Sequence, residues 1–428
     1  MLSVTKIRIY FKEYYMYILK RFLGNEFEHF NDIINKYNSE QNTYINLTAC
    51  VSYPFQEVLD VQAMPFATVP TEGTRGKRYF PSVNSLDEIE NYAEELGLKL
   101  FQIENSSYKI SIQPNSGTQA NQIVYNAILK NGDTVLALSP KDGGHISHTK
   151  LGCRDIRPIY FSLDENMEIN YESLEKQIVN IHPRLVIVGA SSYVKEFDYQ
   201  KIHSITSRYK VPLMADICHS VLYIMGNMHK NIFPFVDFAT FTMDKLLCGP
   251  QGGILVYKSE YDSQINTSIF PKTQGGPIQN SLFAKAMCFL KLSSINIQEY
   301  AKTVIDNTNL LINELKSENI KVINDVACNH IILIDVTYNK ITGKYAEEKL
   351  FKNGILANRN QIPNDTQNAL ITSGIRIGTV PITNLNYSKN DLKKIGKYLA
   401  TIINGETPQK EIFLYLIEKY HNSINISS

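Results

Sequence analysis

Two rhythms of apolar residues run along this chain. Between about residues 130 and 260, short and nearly continuous apolar runs recur, each bounded by Gly, Pro, Asn or Asp. Thr134-Val135-Leu136-Ala137-Leu138 follows the turn signal Asn131-Gly132-Asp133. Leu185-Val186-Ile187-Val188-Gly189, Val211-Pro212-Leu213-Met214-Ala215, Phe238 to Met243 and Gly253-Ile254-Leu255-Val256-Tyr257 repeat the pattern. Between these runs, Glu172 to Ile181 and Gln200 to Tyr209 read as helices. Strands that are apolar on both faces and alternate with helices predict an α/β fold, with a mostly parallel sheet covered on both sides.

Beyond about residue 295 the rhythm lengthens. Helices over Ile297 to Ser317, Lys344 to Asn353 (closed by Gly354) and Asn390 to Ile403 enclose short strands such as Ile331-Ile332-Leu333-Ile334. This predicts a smaller C-terminal α+β domain. The expected organisation is an N-terminal helical arm over 1–60, a large domain over 61–295 and a small domain over 296–428. In the arm, Ile7, Phe11, Tyr14, Ile18 and Phe22 follow helical spacing, among five basic residues and one acid, Glu13. It reads as an amphipathic arm packing on this subunit or a partner, in preference to a targeting or membrane-surface helix.

Composition narrows the picture. The 428 residues are 43% hydrophobic and 20% charged, with a net charge of +1, which leaves no basic footprint for nucleic acid. The six cysteines form no C-x-x-C pair, so neither a structural metal site nor a disulfide framework is indicated, and a reducing, cytoplasmic location is expected. No apolar run reaches the ~18 residues of a membrane-spanning helix, so no integral membrane segment is expected.

Candidate chemistry gathers at the carboxyl ends of the predicted strands, where open α/β sheets bind ligands. Asp216 follows one buried run. Lys245 follows another and leads into the turn Gly249-Pro250-Gln251-Gly252-Gly253. An acid and a lysine so placed suit pyridoxal phosphate: the lysine bonds the aldehyde, and the acid keeps the pyridine nitrogen protonated so that the ring can draw in electrons from Cα. Taken singly, each also reads blandly, Lys245 as a strand-end lysine and Asp216 as a turn residue. Gln113-Pro114-Asn115-Ser116-Gly117-Thr118-Gln119-Ala120-Asn121 precedes a helix-like run from Gln122 to Leu129; it offers free N–H groups to a phosphate, or a plain helix cap. Gln274-Gly275-Gly276-Pro277 is a second phosphate candidate or a turn. Arg376, between glycines in Ser373-Gly374-Ile375-Arg376-Ile377-Gly378-Thr379, suits an α-carboxylate.

In this order the motifs resemble the serine hydroxymethyltransferase family, from about Asn46 to Ile403. The resemblance rests on Thr71-Glu72-Gly73, Gly76-Lys77-Arg78-Tyr79, Ser116 to Asn121, Gly143-Gly144-His145, Asp216-Ile217-Cys218-His219, Lys245 with the glycine turn, Phe270-Pro271 with Gln274 to Pro277, and Thr372 to Thr379. It implies the aspartate-aminotransferase-like fold (pyridoxal-phosphate fold type I), a homodimer with a shared active site, and an amino-acid substrate. By the same resemblance, Lys245 bonds the cofactor and Asp216 pairs with its ring nitrogen. His219 and Ser191 lie by the 3-hydroxyl. Ser116, Gly117 and Thr118 bind the phosphate, with Gly276 reaching it from the other subunit, and Thr242 also contacts the cofactor. Arg376 and Tyr79 bind substrate, and Glu72 handles the proton of the substrate hydroxyl.

The chain departs from the family pattern at several places. Asp142 stands where the resemblance places a ring-stacking histidine, and is expected at the cofactor. Met243-Asp244 replaces Thr-His before the lysine. Cys50-Val51-Ser52 replaces Ser-Glu-Asn, Gln251 replaces an arginine, and Pro70 and Phe80 replace tyrosines. The expected activity is making or breaking the Cα–Cβ bond of a β-hydroxy-α-amino acid of the serine or glycine type. The altered pocket favours a folate-independent relative over housekeeping use of tetrahydrofolate. Two alternatives stay open on sequence: a different reaction at Cα (transaldol transfer, racemisation, transamination or decarboxylation), and a non-catalytic relative that keeps the fold.

Overall fold

The apolar runs become the middle of one sheet. The structure, a computed structural model, describes residues 21, 24, 26–64, 66, 69–103, 107–148 and 155–420. Seven strands form the sheet: β1 (Tyr108–Ser111), β2 (Thr134–Leu138), β3 (Arg157–Phe161), β4 (Leu185–Val188), β5 (Leu213–Asp216), β6 (Phe238–Thr242) and β7 (Gly253–Lys258). Their order across the sheet is β1-β7-β6-β5-β4-β2-β3. From β6 to β3 all pairings are parallel, and β7 runs antiparallel to both β6 and β1. The expectation of a mostly parallel sheet therefore holds, with β7 as the exception. Its apolar run signals burial on both faces, and burial is indifferent to strand direction.

Every residue of β4 and β5 is buried, because helices cover both faces. On one side, α1 (Asn84–Leu100) packs against α5 (Gln279–Ser293). Gly97 lets α1 lie close on the sheet: a Cβ there would stand 2.6 Å from Cδ1 of Ile110 in β1. On the other side, α2 (Gly117–Ile128) buries Ala120, Ile123, Val124 and Tyr125 over Phe238 and Leu255. Two further helices, α3 (Tyr171–Ile181) and α4 (Tyr199–Thr206), fill the crossovers between parallel strands. The pattern did not reveal β1, β3, α1 or α5. β3 is an edge strand with mixed exposure, so it carries no continuous apolar run.

The C-terminal region holds a three-stranded antiparallel sheet, β8 (Ile331–Asp335), β9 (Asn358–Asn360) and β10 (Gly374–Gly378), in the order β8-β10-β9. Helix α6 (Ile297–Ser317) feeds two cores at once: Ala301 and Val304 join the core of the large sheet, while Leu311, Ile312 and Leu315 join the core of the small one. Helices α7 (Gly343–Lys352) and α8 (Lys389–Ile403) complete that second core. The pairing of Ile45 and Asn46 with Ile355 and Leu356 ties the start of the chain to this region. Residues 26–42 are helical, whereas the arm positions Ile7, Phe11, Tyr14, Ile18 and Phe22 lie outside the described residues. No helix among the described residues is long and apolar enough to cross a membrane.

Candidate active site

Parallel strands point their carboxyl ends the same way, and β5 and β6 end beside the N-terminus of α2. Asp216, the last residue of β5, pairs in register with Thr240 of β6. Two residues past the end of β6 the chain turns through Asp244 and Lys245. This turn is tight: Gly249 N–H donates to Met243 O at 3.0 Å, and Met243 N–H to Gly252 O at 3.2 Å. A Cβ on Gly249 would lie 2.6 Å from that of Met243, and one on Gly253 would lie 2.2 Å from Ser116 O. The glycines let the lysine turn and the start of α2 touch through bare backbone. A cavity of about 180 Å³ opens between them, lined by Ser116, Gly117, Thr118, Asn121, His145, Ala190, Ser191, Asp216, Cys218, His219, Thr242, Asp244, Lys245, Gln251 and Gly252.

Asp216 is the most heavily braced group in this cavity. Asn121 Nδ2 donates to its Oδ2 at 3.0 Å, His148 Nε2 lies 2.9 Å from the same oxygen, and Cys218 N–H donates to Oδ1 at 3.3 Å. Asn121 is itself held, accepting from Thr240 Oγ1 at 2.5 Å and donating to Ser147 Oγ at 2.9 Å. Burial alone would raise the carboxyl, but the hydrogen bond and charge of His148, with Lys245 and His145 nearby, hold it well below the usual carboxylate range. A permanent anion is thus fixed at the floor of the cavity. For Lys245, burial works against the ammonium, yet neighbours including Asp216 and Asp244 outweigh it and lift its pKa above the ordinary lysine value. Ser116 caps α2, its Oγ accepting from Gln119 N–H at 3.0 Å. The first N–H groups of a helix have no partner within it, and the residues that carry them here, Gly117 and Thr118, line the cavity.

His145 lines the cavity, and its Nδ1 accepts from Ser147 N–H at 3.2 Å, which puts the ring hydrogen on Nε2. Burial lowers its pKa, so the ring is neutral. Asp142 does not line the cavity. Its carboxylate accepts from Leu163 N–H at 3.3 Å, and burial raises its pKa. Asp142, expected at the cofactor, thus stands apart from this cavity. Gly143 takes a positive φ of 93°, and the chain turns there, so His145 and not Asp142 enters the cavity. Arg376 lies in the middle of β10. It donates from Nη1 to Ser191 O at 2.5 Å, and from Nε and Nη2 to Asn358 Oδ1 at 3.2 and 3.1 Å. That leaves one N–H on each terminal nitrogen for a carboxylate.

Arg376, like Asp142, is not part of the cavity lining, and three further expected residues stand elsewhere. Glu72, Tyr79 and Gly276 do not line the cavity and form a cluster of their own. Tyr79 N–H donates to Glu72 O at 3.1 Å, and a Cβ on Gly276 would meet Thr71 Oγ1 at 2.6 Å. Glu72 and Tyr79 are both exposed, Tyr79 at 68%.

Pyridoxal phosphate can be tested against these residues. Its phosphate needs N–H donors, its ring nitrogen an anion, and its aldehyde an amine. The start of α2, Asp216 and Lys245 supply these three within one cavity. Thr242 Oγ1, buried and without a partner, is one more polar group there seeking a ligand atom. The donor set fits the group. Sequence reasoning missed His148, Asn121 and Thr240. The i, i+3 spacing of His145 and His148 after Gly143-Gly144 was the available signal for the first, and there was none for the other two.

Two comparisons bear on this arrangement. A family model described as serine hydroxymethyltransferase matches residues 24–399. A serine hydroxymethyltransferase of Bordetella avium (strain 197N) is 34% identical over 381 residues, covering 88% of this chain and 90% of that protein.

Proposed function

The chain belongs to the serine hydroxymethyltransferase family, and on that premise we propose how its own residues divide the work of cleaving and forming the Cα–Cβ bond of a β-hydroxy-α-amino acid. Pyridoxal 5′-phosphate, when bound, supplies the electron sink for the pair left on Cα. Lys245 offers the amine that holds the coenzyme. Asp216, kept charged by His148 and Asn121, holds a proton on the ring nitrogen set against it. The N-terminus of α2, with Ser116, Gly117 and Thr118, and Thr242 Oγ1 take the phosphate end. His219 and Ser191 serve the 3-oxygen, and His145 covers the ring. Arg376 presents its two remaining N–H groups to the substrate carboxylate as a fork, which orients the Cα substituents.

Glu72 manages the proton of the substrate hydroxyl from a second copy of the chain. The observation that carries this part is the separation of Glu72, Tyr79 and Gly276 from the cavity of their own chain. A homodimer in which each copy lends these residues to its neighbour completes both sites. Mixing inactive Lys245→Ala protein with weakly active Glu72→Gln protein tests it. Activity above that of either alone is expected, since a hybrid then has one site with both native residues. No recovery after subunit exchange would count against the shared site.

A folate-independent acceptor chemistry is supported by two residues of the cavity. Asp244, whose Oδ1 is buried and unpartnered, and Gln251 line it, and each replaces a side chain of different charge in the family pattern. Serine cleavage rates with and without tetrahydrofolate decide the matter; strong stimulation by folate would overturn this reading.

A further inference from the structure

Behind the cavity, a buried chain of hydrogen bonds runs from His219 through His330, across the domain contact, and back to Tyr223 of the large domain. His330 immediately precedes β8 and is 0% exposed. Its Nε2 lies 2.9 Å from Ala49 O and 3.3 Å from His219 Nδ1, and its Nδ1 lies 3.3 Å from the hydroxyl of Tyr223. The rings of His219 and His330 are nearly parallel, 5.3 Å apart at 13°.

The donors in this chain can be assigned by elimination. A peptide carbonyl only accepts, so the contact with Ala49 O requires a hydrogen on Nε2 of His330. Burial pulls His330 down to about 3, so the ring is neutral and its Nδ1 holds a lone pair. Tyr223 must then donate to that nitrogen. Because Nε2 of His330 already bears the hydrogen, His219 Nδ1 can only accept. Burial also holds His219 well below its ordinary value, so it is neutral and its single ring hydrogen lies on Nε2.

We propose that His330 and Tyr223 are positioning residues that lock His219 in its Nε2–H tautomer, so that His219 meets the ligand in the cavity as a hydrogen-bond donor. Its function as donor rests on the reading above, in which His219 serves the anionic 3-oxygen of the coenzyme. The tautomer itself does not depend on that reading. His330 also joins the two regions of the molecule: it sits on the small sheet, Tyr223 and His219 belong to the large domain, and Ala49 belongs to the N-terminal segment. The tautomer of a cavity residue is thereby tied to the docking of the C-terminal region.

Nitrogen-15 spectra of histidine-labelled, coenzyme-free protein test the assignment directly. Wild-type protein is expected to show both His219 and His330 protonated on Nε2 alone. His330→Asn removes the ring, and His219 is expected to become a mixture of tautomers; Tyr223→Phe removes only the donor that reinforces the Nε2–H form set by Ala49 O, and a smaller admixture is expected. Affinity for added pyridoxal phosphate, followed by its visible absorbance, is expected to fall by about tenfold in His330→Asn, the worth of one hydrogen bond, and by less in Tyr223→Phe. A hydrogen on His219 Nδ1 in the wild type would overturn the proposal, whether or not either variant folds. So would an unchanged His219 in both folded variants. Failure of wild-type protein to bind pyridoxal phosphate would instead overturn the proposed function and leave the tautomer assignment standing.

Discussion

The cavity around Lys245 and the cluster around Glu72 are built on opposite plans. Around Lys245, polar groups sit at the ends of buried strands and are held by other buried groups. Asp216 alone takes hydrogen bonds from Asn121, Cys218 and His148. Around Glu72, the side chains of Glu72 and Tyr79 are exposed, and the bracing lies behind them. Arg78 pairs with Asp87 at 2.8 Å and with Glu90, and donates to Thr71 O and Gly73 O at 3.1 and 3.0 Å. The guanidinium thus fixes the hairpin formed by Gly73-Thr74 and Lys77-Arg78 while leaving Glu72 free to face outward. A charge that must act in a dry cavity needs internal partners, because water cannot stabilise it there. A group that is to act in a neighbouring chain must be exposed in its own.

Substitutions can break this contrast in graded steps. The largest effect is expected for Lys245→Ala: no visible coenzyme band reducible onto the protein, and kcat lower by roughly 10⁴-fold. Asp216→Asn should lower kcat by about 10²–10³-fold, because the fixed anion is lost while the shape is kept. Its coenzyme band should also titrate at a different pH, which absorbance measures. Glu72→Gln should cost about 10²-fold in kcat with little change in melting temperature, since an exposed carboxylate carries little of the fold.

Stability offers a fourth test, under the floor of the cavity. Lys285 is buried, and its Nζ donates to Ile112 O, Pro114 O and Gly253 O at 2.8, 2.6 and 3.4 Å. Burial pulls its pKa down to about 7, against the charges of Glu90 and Asp244. Between pH 7 and the ordinary lysine range the unfolded chain therefore binds more protons than the folded one. Stability from this group should rise with pH across that window, by at most about 1.4 kcal/mol per unit. Urea unfolding at pH 7 and pH 9.5 should show that rise in the wild type and a smaller one in Lys285→Met. The variant should also lose about 2 kcal/mol at pH 9.5, where the neutral amine still donates its two hydrogens to these carbonyls. The smallest effect is expected for Asp142→Asn: kcat within about twofold of wild type by steady-state assay, because its carboxylate faces the backbone of Leu163 and not the cavity.

Much of this was legible along the chain, and for identifiable reasons. Continuous apolar runs marked β2, β4, β5, β6 and β7, since a strand buried on both faces has no polar alternative. Lys245 and Asp216 could be picked out because each ends such a run, and strand ends of α/β sheets collect ligands. Gly117, Gly249 and Gly253 stood out as glycines, and each sits where a Cβ would collide with a neighbour. The edge strand β3 was illegible, because one-sided burial of five residues leaves little pattern.

What the linear order determined is therefore the sheet, its carboxyl-end chemistry and the family to which the chain belongs. Only the tertiary structure decided which neighbours each group keeps. It turned Asp142 away and brought in His145 through a single glycine with positive φ. It placed His148 and Asn121 on Asp216, and His330 on His219 across 111 residues. It separated Glu72 from Lys245. Periodicity reports how a residue faces its own element, whereas a buried hydrogen bond depends on two elements meeting to within a fraction of an ångström, which packing alone sets.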